Sequence, residues 1–268
     1  MGPAAAQMHG DIVKTIKRLK RLASAALERL SPAPRSFIEF HSGHHRFFYP
    51  WGGAMNGQAA RLSTVSALIH AIKPAMIIET GTYRGTTTEW FAGFALPVVT
   101  VESEPSFYRF SRRRLARWPN VRCVFGDSVS ALAAMQPVDQ PVLCYLDAHW
   151  HDALPLRDEL RTIIERFRRA VIVIDDFKVP DDLDYGHDDY GPDAALDVPY
   201  LGNSGLPEAA WLFFPSLPAS HETGQRRGTA FLTFDPELAA LLGGMASLRA
   251  WPFSISDRQR AVAHGMAL

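Results

Sequence analysis

The chain has 268 residues, 47% hydrophobic and 11% aromatic, enough to bury a sizeable core around one large α/β unit. Its 28 basic and 28 acidic residues cancel, so bulk charge points to neither nucleic acid nor a stable membrane association. No apolar run approaches the roughly 20 residues that a bilayer span needs, and there is no signal-peptide core. The only cysteines, Cys123 and Cys144, fall in predicted buried strands, so the expectation is a cytoplasmic protein with reduced thiols.

Residues 11–30 read as a helix with Ile12, Ile16, Leu19, Ala23, Ala26 and Leu30 on one stripe and Lys14, Lys17, Arg18, Lys20 and Arg21 elsewhere. Alanines dilute the stripe, which predicts a packing or oligomer helix and not a membrane anchor. Ser31-Pro-Ala-Pro34 is expected to end it. Residues 36–56 are rich in aromatics and histidine, with His41, His44 and His45 within five positions. No cysteine or supporting carboxylate spacing accompanies them, so the segment reads as a cap over the site and not as a metal centre. Residues 58–72 form a helix that Lys73-Pro74 breaks.

From Met76 the pattern becomes regular. Strands are predicted at 76–79, 97–102, 121–125, 141–146 and 170–174, with helices near 86–94, 105–117, 128–135 and 155–168. This alternation specifies an α/β fold with a doubly wound, mostly parallel sheet. Ligands in such sheets bind outside the carboxyl ends of the strands.

The first strand leads into the organising stretch. Met76 to Ile78 is a short apolar run, Glu79 stands at its end, and Gly81 and Gly85 flank Thr82, Tyr83 and Arg84 before three threonines open a helix. Glycine at both points allows a tight turn and close approach of a ligand to the main chain. The spacing is not the G-x-G-x-x-G of a dinucleotide site, and Thr82 and Tyr83 intrude where a pyrophosphate would need room. The E-x-G-x-x-x-G form resembles the first motif of the class I S-adenosylmethionine (SAM) methyltransferases. The resemblance implies a loop backbone wrapped around the methionine half of SAM, with Glu79 beneath it.

Acids stand at the following strand ends. Glu102 lies 21 residues beyond Gly81, where a carboxylate can accept both hydrogen bonds of a ribose diol. Asp127-Ser128 ends the third strand, and in the methyltransferase pattern such a pair meets the adenine amino group. For each acid the alternative is a solvated residue near a helix N-terminus. Strand four ends at Asp147, followed by Ala148-His149-Trp150-His151, and strand five ends at Asp175-Asp176. Three convergent carboxylates repel, so either a hard cation such as Mg²⁺ joins them, or one is protonated, or one turns away to cap a helix or pair with Arg157 or Lys178. The arrangement over residues 57–180 resembles the macrocin-type, metal-dependent sugar O-methyltransferases. That resemblance implies Asp147, Asp175 and Asp176 as metal ligands. The family commonly carries a carboxylate general base where this chain has His149. A histidine can take the same proton, or it is a structural residue beside Trp150, or it is itself a metal ligand, which admits zinc or iron.

The acidic segment 181–193 reads as a long loop overhanging the metal site, either a lid carrying Tyr185, His187 and Tyr190 or a solvated loop. Arg226 and Arg227 read as an exposed turn, with binding of an anionic group as the alternative. Two last strands, 211–214 and 229–234, close the sheet as a hairpin. The expected whole is a seven-stranded Rossmann-like sheet with an antiparallel last strand, an N-terminal helix and cap over 1–56, a SAM-binding domain over 57–240 and a tail over 241–268. Its expected activity is Mg²⁺-assisted O-methylation of a small, sugar-like hydroxylated molecule, with a homo-oligomer as the only protein partner. The competing readings are a metal-dependent hydrolase and a non-catalytic SAM- or metabolite-binding protein.

Overall fold

The computed structural model describes residues 14–15, 18, 22–23, 25–42, 53–149, 154–207 and 209–252. Five parallel strands come first: β1 (Met76–Thr80), β2 (Val98–Glu102), β3 (Val121–Phe125), β4 (Val142–Leu146) and β5 (Ala170–Asp175). Then β6 (Trp211–Pro215), β7 (Thr229–Thr233) and β8 (Leu248–Trp251) complete a single sheet of order β3-β2-β1-β4-β5-β7-β6-β8. The order reverses between β1 and β4, so the strand ends open a crevice there. β7 runs antiparallel to both β5 and β6.

The helices are α1 (Pro32–His41), α2 (Ala59–Ile72), α3 (Thr86–Ala92), α4 (Pro105–Leu115), α5 (Ser128–Ala133), α6 (Leu156–Arg166), α7 (Val198–Gly202) and α8 (Pro236–Gly243). The period-two alternation of the strands sorts their side chains between two cores. Ile77, Leu143, Val171, Val173 and Phe231 face α2, α3 and α8. Ile78, Cys144, Ile172, Ile174 and Leu232 face α5, α6 and α7. Both faces are covered, which is why β4 and β5 are buried along their whole length and read as continuous apolar runs. Burying one such side chain stabilises by about 1.5–3 kcal/mol, against about 0–1 for an exposed ion pair, so these two faces hold the fold.

Strands β1 to β5 and the helices between them fall within two residues of their expected bounds. Three differences have physical causes. Ser31-Pro-Ala-Pro34 does not simply end a helix; it starts α1, because proline at the first helical position loses no hydrogen bond there. The described part of the expected 11–30 helix is helical as far as Glu28, and Leu30 of the expected apolar stripe is exposed in the bend that follows, where the described residues leave it uncovered. The sheet has eight strands, not seven, since β8 pairs antiparallel with β6 and stacks Trp251 edge-on against Phe214 at 5.6 Å. Four residues with an arginine among them, at a sheet edge, carry little periodic signal. The histidine- and aromatic-rich residues 43–52, with Trp150 and His151, lie outside the described residues.

Candidate functional site

A cavity of about 1530 Å³ lies over the carboxyl ends of β1 to β5. On one side it is walled by the loop after β1. Gly81 adopts φ +82°, and a Cβ there would stand 1.9 Å from the carbonyl oxygen of Asp147. Glycine is therefore demanded by the end of β4 crossing beneath the loop, as well as by any ligand above it. Gly85, at φ +72°, stands at the N-cap of α3 with the Leu115 side chain close beneath. Between them Tyr83 also takes a left-handed conformation, φ +49°, unusual for a bulky residue and a mark of local strain.

That conformation aims the Tyr83 N–H at Glu102 Oε2, 2.7 Å away, while the Glu104 N–H donates to Oε1 at 2.8 Å. Glu102 is 7% exposed, and burial pushes its carboxyl up to about 7 against those backbone donors. Beneath the loop, Glu79 Oε2 accepts from the hydroxyls of Thr88 and, at 2.6 Å, Thr100. Thr100 also meets the Thr82 hydroxyl at 2.6 Å. Burial raises the Glu79 carboxyl to about 7 as well. Asp127 caps α5, its Oδ1 accepting from the Ser130 N–H at 2.8 Å, and that backbone bond holds its pKa down. Asp127 and Ser128 both border the cavity.

The N-terminal helix reaches this rim. Glu39 of α1 is 2% exposed and accepts from Arg84 Nε at 3.1 Å and Nη2 at 2.7 Å. The Arg84 guanidinium lies over the Tyr83 ring at 4.4 Å. Phe40 packs edge-on against Phe110 of α4 at 5.5 Å, and Phe40 and His41 line the cavity.

Across the crevice the acids are held differently. Asp175 is buried, and its oxygens accept from Arg61 Nη1, from Tyr145 Oη at 2.6 Å, from Asn56 Nδ2 at 3.3 Å and from the Asp176 N–H at 2.8 Å. Burial works against its charge, yet Arg61 and Tyr145 keep its pKa below the usual range. Asp175, expected among the metal ligands, is thus turned into an internal ion pair with a partner that was not among those foreseen. Arg61 continues to the carbonyl oxygens of Arg227 and Gly228. Arg227, whose sequence reads as an exposed turn, has its backbone clamped by Gln58 and its guanidinium bridging Asp176 Oδ1, at 2.6 Å, and Asp188.

Three groups remain facing one another: Asp147, His149 and Asp176, whose ligand atoms all lie within 4.8 Å. His149 Nε2 is 3.8 Å from Asp147 Oδ1 and 4.0 Å from Asp176 Oδ2. It has no hydrogen-bond partner among the described residues. Burial lowers the His149 pKa, which keeps the imidazole neutral. Burial and the neighbouring Asp175 raise Asp176 to about 7 despite Arg227. Asp147 is raised well above the usual range by its protein surroundings and by Asp175 and Asp176, although 36% of its side chain opens to the cavity. Asp176 holds φ +52°, and with Tyr83, Met55 and Asn56 it is one of four described non-glycine residues at positive φ along the cavity.

The 181–193 segment is pinned. Its backbone bonds to Arg226 and Gly228, and the Tyr185 hydroxyl donates to the Leu217 carbonyl at 2.9 Å, so that tyrosine does not face the cavity. From this segment Gly186 and Asp188 border the cavity. Sequence reasoning missed Asn56, Arg61, Tyr145 and Asp188, and weighed Arg227 only as an exposed turn or an anion-binding group. For Arg61 a signal exists: it lies four residues before Val65 and seven before Leu68, a charge on the buried stripe of α2.

No protein-family model and no curated protein matches the chain. Among solved structures it is similar to the O-methyltransferase TomG of Streptomyces achromogenes, in complex with SAM, at 18% identity over 81% of this chain and 96% of that one, with a TM-score of 0.48. It is also similar to the S-adenosylhomocysteine-bound methyltransferase PaMTH1 of Podospora anserina, at 19% identity over 82% and 96%, with a TM-score of 0.49. At such identities the chemistry has to be argued from the chain's own side chains.

Proposed function

We propose that this chain is a class I methyltransferase that moves the methyl group of SAM to an oxygen of a small, hydroxylated, sugar-like acceptor, with the help of a divalent cation. What carries the reading is one juxtaposition within a single cavity. A loop-and-acid rim on β1 to β3 adjoins a trio of potential metal ligands at the ends of β4 and β5. SAM is a sulfonium, and a rim of carboxylates at successive strand ends suits its positive charge. The loop from Gly81 through Thr82 and Tyr83 to Gly85 would wrap its methionine half, above Glu79. Glu102 keeps spare lone pairs for the ribose hydroxyls after accepting two N–H groups. Asp127 and Ser128 would meet the adenine edge.

The residues at the second rim fit a cation. Two carboxyl groups and the unpartnered Nε2 of buried His149 converge within 4.8 Å, and a cation there would take the place of the protons that burial otherwise holds on Asp147 and Asp176. Asp147 and Asp176 would hold the ion, and Asp175, saturated by Arg61 and Tyr145, would fix the backbone of Asp176 and not bind. Bound there, a divalent cation lowers the pKa of an acceptor hydroxyl and orients it. The catalytic unit in this reading runs from residue 57 into β8, which completes the sheet beyond residue 240, with 1–56 as its cap.

The test is turnover. The chain is incubated with SAM, a divalent cation and a panel of polyhydroxylated small molecules, and S-adenosylhomocysteine is followed. Acceptor-dependent release is expected. Cleavage of an acceptor without S-adenosylhomocysteine would replace this reading with a hydrolase. SAM binding without turnover on any acceptor would replace it with a binding protein.

A further inference from the structure

We infer that His149 is a metal ligand through Nε2, and that the chain accordingly selects a first-row divalent metal ion, Mn²⁺, Fe²⁺, Co²⁺ or Zn²⁺, over Mg²⁺ or Ca²⁺. The inference rests on the cation reading above and narrows it. His149 is 4% exposed, and its Nε2 faces two carboxylates. Were that nitrogen a donor, it would close on one of them to the roughly 2.8 Å of a charge-assisted hydrogen bond. It stays at 3.8 and 4.0 Å, with no other partner among the described residues. Two ligand bonds of about 2.1 Å span up to about 4.2 Å, which covers both His149 distances, and the third pair, within 4.8 Å, needs only a small closure for one ion to use all three lone pairs.

The rest of the rim narrows the donor set. Asp175 is spent on Arg61, Tyr145, Asn56 and the Asp176 N–H. Arg227 holds Asp176 Oδ1, which leaves Oδ2 as that residue's single ligand atom. The set is therefore one imidazole nitrogen and two carboxylates, with the remaining positions toward the cavity through the open side of Asp147. Magnesium and calcium favour oxygen donors alone, whereas an imidazole shifts preference toward later divalent ions. As a ligand, His149 is not free to take the acceptor proton, so the general-base role expected of it falls away.

The experiment uses the full chain, stripped with chelator and titrated with MnCl₂ in competition with MgCl₂. Pulsed electron paramagnetic resonance of the Mn²⁺ form reports any coupled imidazole nitrogen. The expected result is Mn²⁺ bound about tenfold or more tightly than Mg²⁺, with a nitrogen coupling. His149→Asp removes the coupling and brings the two ions to similar affinity. The melting shift with S-adenosylhomocysteine confirms that the variant is folded. Manganese bound without nitrogen coupling, or a His149→Asp variant with unchanged ion preference, overturns the inference and leaves a cation-assisted enzyme standing. Absence of any divalent-ion binding at millimolar concentration overturns the cation reading with it, while SAM binding is judged separately.

Discussion

The two rims of the cavity handle the same problem, buried carboxylates, in opposite ways. On the β1–β3 side the buried acids are satisfied by main chain and by hydroxyls, Glu102 by the N–H groups of Tyr83 and Glu104 and Glu79 by Thr88 and Thr100, while the exposed Asp127 caps its own helix. On the β4–β5 side they are satisfied by arginines brought from far along the chain, Arg61 to Asp175 across 114 positions and Arg227 to Asp176 across 51. The first arrangement leaves its carboxylates at the cavity wall with local support. The second spends Asp175 and one oxygen of Asp176 internally, and leaves Asp147, His149 and Asp176 Oδ2 to whatever enters the cavity. Repulsion among clustered acids is thus not by itself evidence for a metal, because Arg61 and Arg227 relieve much of it.

Arg61 gives the sharpest way to break the contrast. Arg61→Met strands a buried carboxylate on Asp175 and frees the main chain at Arg227 and Gly228. Removal of one partner of a buried pair costs about 3–5 kcal/mol, so denaturant unfolding should move by that much. A change under about 1 kcal/mol would mean that the second rim is solvated like a surface and not built as described.

Gly81→Ala attacks the point where the rims touch. The new Cβ meets the Asp147 carbonyl and must also hold a positive φ, so about 2–4 kcal/mol of stability should be lost together with most SAM affinity. Unchanged SAM binding in a folded variant would show that the loop does not carry the cofactor.

The pH response separates the rims without mutation. Glu79 and Glu102 titrate near 7 in the folded chain against a usual 4.5, so the folded form holds their protons longer. Their effect is to make the ligand-free chain most stable below about pH 4.5 and to remove that contribution as pH rises through about 7. The melting shift given by SAM should grow over the same window, because the ionised rim attracts its positive charge. A SAM-induced shift that is flat between pH 5 and 8 would detach these acids from the cofactor. The smallest effect belongs to Asp127→Ala, which removes the N-cap of α5 and should cost about 1 kcal/mol while weakening SAM modestly.

The contrast also explains what the sequence could reveal. The first rim was legible because its parts sit within a strand, a turn and a helix start, where apolar runs, glycines and caps leave local marks. The second rim depends on convergence. Asp147, Asp175 and Asp176 are all at strand ends and all line the cavity, but that Asp175 is occupied there is decided by Arg61 and Tyr145, whose reach no spacing encodes. His149 was visible as a departure from the carboxylate pattern, yet its orientation came from packing. Likewise α1 was hidden by a proline-rich start that reads as a stop, and Glu39 reaches Arg84 only through tertiary contact.

The methyl transfer proposed for this cavity depends on SAM binding at the β1–β3 rim. Calorimetric titration of the full chain with SAM and, separately, with NAD measures that binding. One SAM per chain is expected, with no heat from NAD, and loss of most SAM affinity in Glu102→Ala. Binding of NAD with no binding of SAM would contradict it.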